Sequence, residues 1–237
     1  MQPKTIDLNA DLGEDAGLDE ALIRQVSSIN LCCGLHAGSL DTTEIVLKLA
    51  ASQKQHRPLA VGAHPGLPDR LSMGRASTII PPSMVGEITR YQVDILTRMA
   101  KDAGLTLSHL KPHGALYHLA CSNPGVADQM VRIALHFNLA VMALPQTQLA
   151  SACNGKVLFI DEGFAERGYL PNGSLIPRGQ PGDIIHNPND AASQAVNLAQ
   201  AGLHSLCIHG DSPNAVTVAI AVRLALENAG FTISPHR

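Results

Sequence analysis

Ile6-Asp7-Leu8-Asn9-Ala10-Asp11-Leu12-Gly13-Glu14 is the stretch from which the fold can be read. Apolar and polar residues alternate through it, and successive side chains of a strand point to opposite faces. Ile6, Leu8, Ala10 and Leu12 therefore take one face, and Asp7, Asn9 and Asp11 the other. The same sorting works downstream. Asn30, Cys32 and His36 share a face, with Gly34 between them. Gly62 and His64 oppose Val61 and Ala63, while His109, Lys111 and His113 oppose Leu110 and Pro112. Cys207, His209 and Asp211 oppose Leu206 and Ile208. Carboxylates, amides, imidazoles and a lysine are thus gathered at the C-terminal ends of five strands, where (β/α) barrels place their chemistry.

Outward from these segments a beat recurs: an apolar strand, a polar or Gly-rich end, then a helix-length segment. Strands are predicted over 5–12, 28–34, 59–65, 107–114, 140–145, 157–163 and 205–211. Helices are predicted over 42–54 (with Asp41 or Thr42 as N-cap), 82–103, 126–137, 189–201 and 213–229, with Gly104 as a C-cap. Seven strands alternating with helices imply parallel pairing, and the mean unit of about 34 residues is the size of one βα repeat. The expected architecture is one α/β domain over residues 1–237, a barrel related to the (β/α)₈ fold. An open doubly wound sheet is the second choice. Two Pro- and Gly-rich segments, 65–82 and 165–189, are too long for simple connections and are expected to be ordered functional loops.

Composition narrows the function. Of 237 residues 45% are hydrophobic, enough for a sizeable core, and only 16% are charged. The net charge of −3 provides no basic footprint for nucleic acid or an anionic membrane. No apolar run is long enough to cross a bilayer, and Met1-Gln2-Pro3-Lys4 leads straight into the first strand rather than a signal peptide. Five cysteines without zinc-ribbon spacing fit reduced thiols, so a cytoplasmic location is expected. No G-x-G occurs, Gly155-Lys156 is followed by Val157, and neither G-x-S-x-G nor H-E-x-x-H is present. Dinucleotide, P-loop, serine-hydrolase and zincin motifs are therefore missing.

Four histidines stand at Gly-rich strand ends. Gly34-Leu35-His36-Ala37-Gly38 and Gly62-Ala63-His64-Pro65-Gly66 share a G-x-H-x-G frame, and His113-Gly114 and His209-Gly210 share a His-Gly step. One such histidine is ordinarily structural; four beside Asp11 and Asp211 point to a site. Asp7 is read as a cap or as paired with a basic neighbour at the barrel bottom. Cys32 and Cys33 are read as packed thiols, and His56, His136, His204 and His236 as solvated.

Taken in order, Asp7 to Glu14, Cys33 to Gly38, Gly62 to Gly66, Lys111-Pro112-His113-Gly114-Ala115-Leu116-Tyr117, Pro177-Arg178-Gly179-Gln180-Pro181-Gly182 and Cys207 to Asp211 resemble the LamB/YcsF family over essentially the whole chain. The chain departs from that family's pattern at Ala10 (usually Cys), Cys33 (usually Ala) and Glu166 (usually Asp), and is shorter before Cys207. The resemblance implies an irregular seven-stranded barrel of the polysaccharide-deacetylase-like type. It also implies the A component of an ATP-dependent 5-oxoprolinase, in which 5-oxo-L-proline, ATP and water give L-glutamate, ADP and phosphate. Phosphorylating the lactam oxygen would make the ring carbon electrophilic and turn that oxygen into a leaving group.

On this reading Asp11 or Asp211 is the general base. His64 and His113 are acids, oxyanion-stabilising groups or metal ligands, and Lys111 stabilises phosphoryl or oxyanion charge. Arg75 or Arg178 clamps the substrate carboxylate, and Asn9, Glu14, His36, Glu162 and His209 complete the substrate site. ATP with Mg²⁺ is the implied co-substrate, and a divalent metal on Asp11, His64 and His113 is a candidate. Subunits B and C are the implied partners, and a homo-oligomer is compatible with the sequence. The alternatives are an ATP-independent metal-dependent amidohydrolase or deacetylase, and a non-catalytic scaffold component. Asp11→Asn is expected to lose rate while thermal stability stays level or rises.

Overall fold

The structure is a computed structural model that describes residues 4–76 and 78–236. Seven strands close into a parallel barrel: β1 (Lys4–Leu12), β2 (Ser28–Cys32), β3 (Ala60–His64), β4 (His109–Leu110), β5 (Ala140–Ala143), β6 (Phe159–Phe164) and β7 (Ser205–His209). Each pairs with the next in parallel, and β7 returns to β1 through Asp7↔Ser205 to Asp11↔His209. A short eighth strand, β8 (Phe231–Ile233), extends the N-terminal end of β1 from outside the ring. It was not expected from the sequence, having three residues and little alternation to read.

The alternation in β1 divides the molecule as its pattern dictates. Leu8, Ala10 and Leu12 point outward into a core shared with Ile29, Leu31, Val61, Leu110 and Val141. The helices α1 (Asp19–Ile23), α2 (Leu40–Lys54), α3 (Pro82–Asp102), α4 (Gly114–Ser122), α5 (Pro124–Phe137), α6 (Gln148–Cys153), α7 (Pro188–Gln200) and α8 (Ala215–Asn228) cover that core. None of them is long and apolar enough to cross a membrane. Three helices, α1, α4 and α6, lie where only connections or strand were expected.

Boundaries moved for identifiable reasons. The N-cap of α2 is Ser39, whose hydroxyl accepts the Thr42 amide at 3.0 Å, in place of Asp41 or Thr42. Asn123 caps α5, so that helix starts at Pro124, ahead of Val126. The fourth strand is two residues rather than eight: Pro112 has no amide to donate to a ladder, and Gly114 turns the chain with φ +53°.

The two long loops are tied down as expected. Gln92 of α3 is buried, donating to the Gly66 carbonyl and accepting the Gly66 amide, which fixes the chain just beyond His64. In the second loop Arg167 donates to the carbonyls of Asp183 and Ile176, and Gln194 donates to those of Phe164, Ala165 and Arg167.

Candidate active site

Buried polar side chains run through the barrel interior from bottom to mouth, where branched apolar layers usually fill such barrels. At the bottom, Asp7 accepts the hydroxyls of Ser27 and Ser28 at 2.7 and 2.6 Å, and that of Ser205. Burial is the largest influence on its carboxyl and raises its pKa. The basic neighbour expected for Asp7 is thus replaced by three serines, and among the described residues no cationic side chain pairs with it.

One layer up sits Lys111, 1% exposed. Its ammonium donates to Asp11 Oδ1 at 2.9 Å, Glu162 Oε1 at 2.7 Å and Asn9 Oδ1 at 3.3 Å, and lies 3.0 Å from Cys207 Sγ. Burial opposes its charge, but Asp11 and Glu162 outweigh burial and hold its pKa well above the usual 10.5. Cys207 is a neutral thiol here, since burial lifts its pKa well above 9. Asn30 bridges the layers, donating to Asn9 Oδ1 at 2.6 Å and Asp11 Oδ1 at 2.8 Å. His109 donates to Asn30 Oδ1 at 2.8 Å, in space that exists because residue 62 is glycine: a Cβ there would stand 2.1 Å from the ring.

At the mouth a cavity of about 530 Å³ is lined by Asp11, His64, Lys111, His113 and His209, with Arg75, Arg167 and Arg178 around its opening. Asp11 Oδ1 is occupied by Lys111 and Asn30, while Oδ2 lies 3.4 Å from His64 Nε2 and 4.0 Å from His209 Nε2. Burial would raise the Asp11 carboxyl, yet His64 and then Lys111 override it and hold the pKa well below 3.8. His64 shows the converse: burial disfavours its imidazolium, but Asp11 leads the opposing influences and its pKa ends above 6.5. His209 is held by Glu166, which accepts both its Nδ1–H and, at 3.2 Å, its backbone amide. The Phe164 ring stacks on that imidazole, with centroids 5.3 Å apart.

A sequence profile of the LamB/YcsF family matches residues 6–237. The chain belongs to the LamB/YcsF family. It is 38% identical to a Methylococcus capsulatus protein named as the A component of 5-oxoprolinase, with 98% of this chain and 95% of that protein covered. A Neisseria meningitidis protein of the same name is 35% identical, with 98% and 99% covered. Among solved structures, a lactam utilization protein from Thermus thermophilus superposes with a TM-score of 0.88 at 37% identity, covering 98% of this chain and all of that one. A family 4 carbohydrate esterase from Streptomyces lividans is similar in fold, with a TM-score of 0.55 at 9% identity over 97% of this chain and 91% of that one.

Within this LamB/YcsF barrel the sequence-chosen residues fall at three depths. Asp11, His64, Lys111, His113, His209, Arg75 and Arg178 reach the cavity. Asn9 and Glu162, both expected in the substrate site, lie beneath it holding Lys111, so each is a support and not a wall of that cavity. Glu14 and His36 are buried beside His113. Asp211 is displaced to the rim, where it pairs with Arg75 at 2.7 Å. Of the two aspartates offered as base, Asp11 is the one facing the cavity. His204 is only half-exposed: it accepts the Asp161 amide and stacks on His236, so neither ring is freely solvated.

Four contributors were not chosen from the sequence: Phe164, Glu166, Arg167 and Tyr117. Tyr117 donates to Glu162 Oε2 and accepts the Leu144 amide at 2.7 Å. Its place in the Lys111–Tyr117 motif was the available signal. Glu166 lies two residues beyond β6, where face alternation no longer applies.

Proposed function

We propose that this chain is the A component of an ATP-dependent 5-oxoprolinase and that the mouth cavity holds the lactam during ring opening. The observation that supports this most directly is Asp11. It is an ionised carboxylate at the cavity floor, with one oxygen immobilised by Lys111 and Asn30 and the other turned toward two imidazoles. The full-length relatives named for this activity point the same way.

A carboxylate so held accepts a proton from water attacking the ring carbon of an O-phosphorylated lactam. The ring nitrogen then departs as an amine, taking a proton from His209, and a second water hydrolyses the acyl phosphate. Lys111 is a positioning residue in this account. Its protons already face Asp11, Glu162 and Asn9, which leaves none for a phosphoryl group. Arg75 is engaged by Asp211 and Arg167 by loop carbonyls. Among the described residues Arg178, exposed at the rim, has no such partner and suits the substrate carboxylate.

Phosphoryl transfer needs amides cradling the phosphates and carboxylates holding Mg²⁺, and no recognised motif for either occurs in the chain. The isolated chain is therefore expected to release negligible glutamate or phosphate from 5-oxoproline and ATP, and to gain both on addition of the partner subunits. Stoichiometric release by the purified chain alone would overturn the division of labour. Ring opening by the chain without ATP would favour the amidohydrolase reading instead.

The Glu166–His209 pair allows a separate check in the assembled enzyme. Glu166→Gln keeps the shape but removes the carboxylate that accepts the His209 Nδ1–H and orients the imidazole. A loss of roughly 10-fold to 100-fold in kcat, with KM little changed, is expected. A rate equal to wild type would remove His209 from the proton path.

A further inference from the structure

We propose that Glu14, His64 and His113 form a binding site for one divalent first-row metal ion, of which Zn²⁺ best suits the donors. The proposal does not depend on which substrate the cavity takes.

It starts from where the ring protons must be. His64 Nδ1 lies 2.8 Å from the Lys111 carbonyl, and His113 Nε2 lies 2.8 Å from the Met73 carbonyl. A carbonyl oxygen only accepts, so each of these nitrogens carries the hydrogen. In the neutral rings the lone pairs are then on His64 Nε2 and His113 Nδ1, and these two atoms face each other at 3.0 Å. Lone pairs at that distance repel unless a cation or a shared proton lies between them. Glu14 Oε1 completes the arrangement, 3.1 Å from His113 Nδ1 and 3.7 Å from His64 Nε2.

Donors bound about 2.0–2.2 Å from one ion stand roughly 3.0–3.5 Å apart, and two histidines with a glutamate are a known zinc set. The planes of the two rings are 89° apart, so a point between the facing nitrogens can lie in both. Ring N–H groups donated to backbone carbonyls are the usual outer support of metal-binding histidines. The chain reaches that arrangement at some expense: Met73, whose carbonyl orients His113, has φ +52°.

Neighbouring residues are excluded on physical grounds. The His36 ring is stacked on His113, 11° from parallel with centroids 4.0 Å apart. An ion in the plane of one ring therefore lies out of the plane of the other. His36 Nε2 instead sits 3.2 Å from Glu14 Oε1 and supports that carboxylate. Asp11, a ligand on the sequence reading, has Oδ1 committed to Lys111 and Asn30 and borders the site through Oδ2. A second cluster, Asp11 with Cys207 and His209, brings the ammonium of Lys111 within 3.0 Å of the sulfur, which opposes a further cation. Bound at Glu14, His64 and His113, an ion would supply Lewis acidity beside the cavity.

The test uses the full chain, stripped with a chelator and titrated with Zn²⁺ by calorimetry and with Co²⁺ by visible absorption. One equivalent of Zn²⁺ per chain is expected, with a raised Tm. Glu14→Gln and His113→Gln should each weaken binding at least 10-fold, whereas His204→Ala, at the surface His204–His236 pair, should leave it unchanged. The wild-type Co²⁺ spectrum gives an answer even where a variant fails to fold: nitrogen and oxygen ligation without a thiolate charge-transfer band is expected. A thiolate band, no saturable binding near one equivalent, or binding lost in His204→Ala would each overturn the proposal.

Discussion

Lys111→Met is expected to lower the Tm by roughly 6–20 °C. Removing one partner from a buried ion pair costs about 3–5 kcal/mol, because the charge left behind has lost its compensation. Each kcal/mol moves the midpoint of a chain of this size by roughly 2–4 °C. Here two carboxylates are left behind, Asp11 at 2.9 Å and Glu162 at 2.7 Å from the missing ammonium. The cause can be isolated by a second change. Lys111→Met with Glu162→Gln removes one of the orphaned charges, so the double variant should melt above the single one. It should still lack activity in the assembled enzyme, because Asp11 Oδ1 has lost its main anchor. Thermal unfolding followed by circular dichroism measures both. A single variant melting within a degree or two of wild type would mean that Asp11 and Glu162 are not both ionised in the folded state.

The barrel and the gathering of polar residues at its mouth were legible because a period of two assigns a face to every strand residue. Asp7, Asn9 and Asp11 do share the interior, as the alternation in β1 requires. Depth was not legible. Alternation states which way a side chain points but not which layer of the barrel it meets, since that depends on the stagger between strands. Alternation therefore groups Glu162 with the substrate although it lies under Lys111, and makes Asp211 a candidate base although it stands at the rim with Arg75. Residues beyond strand ends were invisible for a related reason. Glu166 orients His209 from an irregular segment in which no periodicity exists to assign its direction. The short elements α1, α6 and β8 contain too few residues to establish a period, so only their tertiary contacts define them. The arginines show a third limit. Arg75, Arg167 and Arg178 look equivalent in the sequence, yet two of them are engaged by partners that only the fold brings near.

Asp11→Asn should reduce the rate of the assembled enzyme at least about 100-fold, the ordinary contribution of a positioned general base. The structure reverses the accompanying expectation that stability would stay level or rise. An asparagine resembles the protonated acid in size and charge, and the fold favours the ionised form. Burial opposes that ionisation, but His64 and Lys111 outweigh burial and hold the pKa well below 3.8. The variant is therefore expected to be less stable at pH 7, by roughly the 1.5–3 kcal/mol associated with hydrogen bonds to charged groups. The direction of the pH dependence follows from the same shift. A carboxyl with a depressed pKa contributes stability that is complete above its unfolded value and is lost as pH falls through its folded value. The Tm gap between wild type and variant should thus widen as pH falls through the His64 titration, narrow once the pH passes below about 3.8 and close in stronger acid. His64 provides a readout independent of turnover. In the chelator-stripped chain Asp11 is the foremost influence lifting its pKa above 6.5, so the imidazole should titrate at lower pH in the variant, observable by NMR. Normal turnover by Asp11→Asn would remove Asp11 from the chemistry. An unchanged His64 titration together with an unchanged Tm would remove the charge pairing as well.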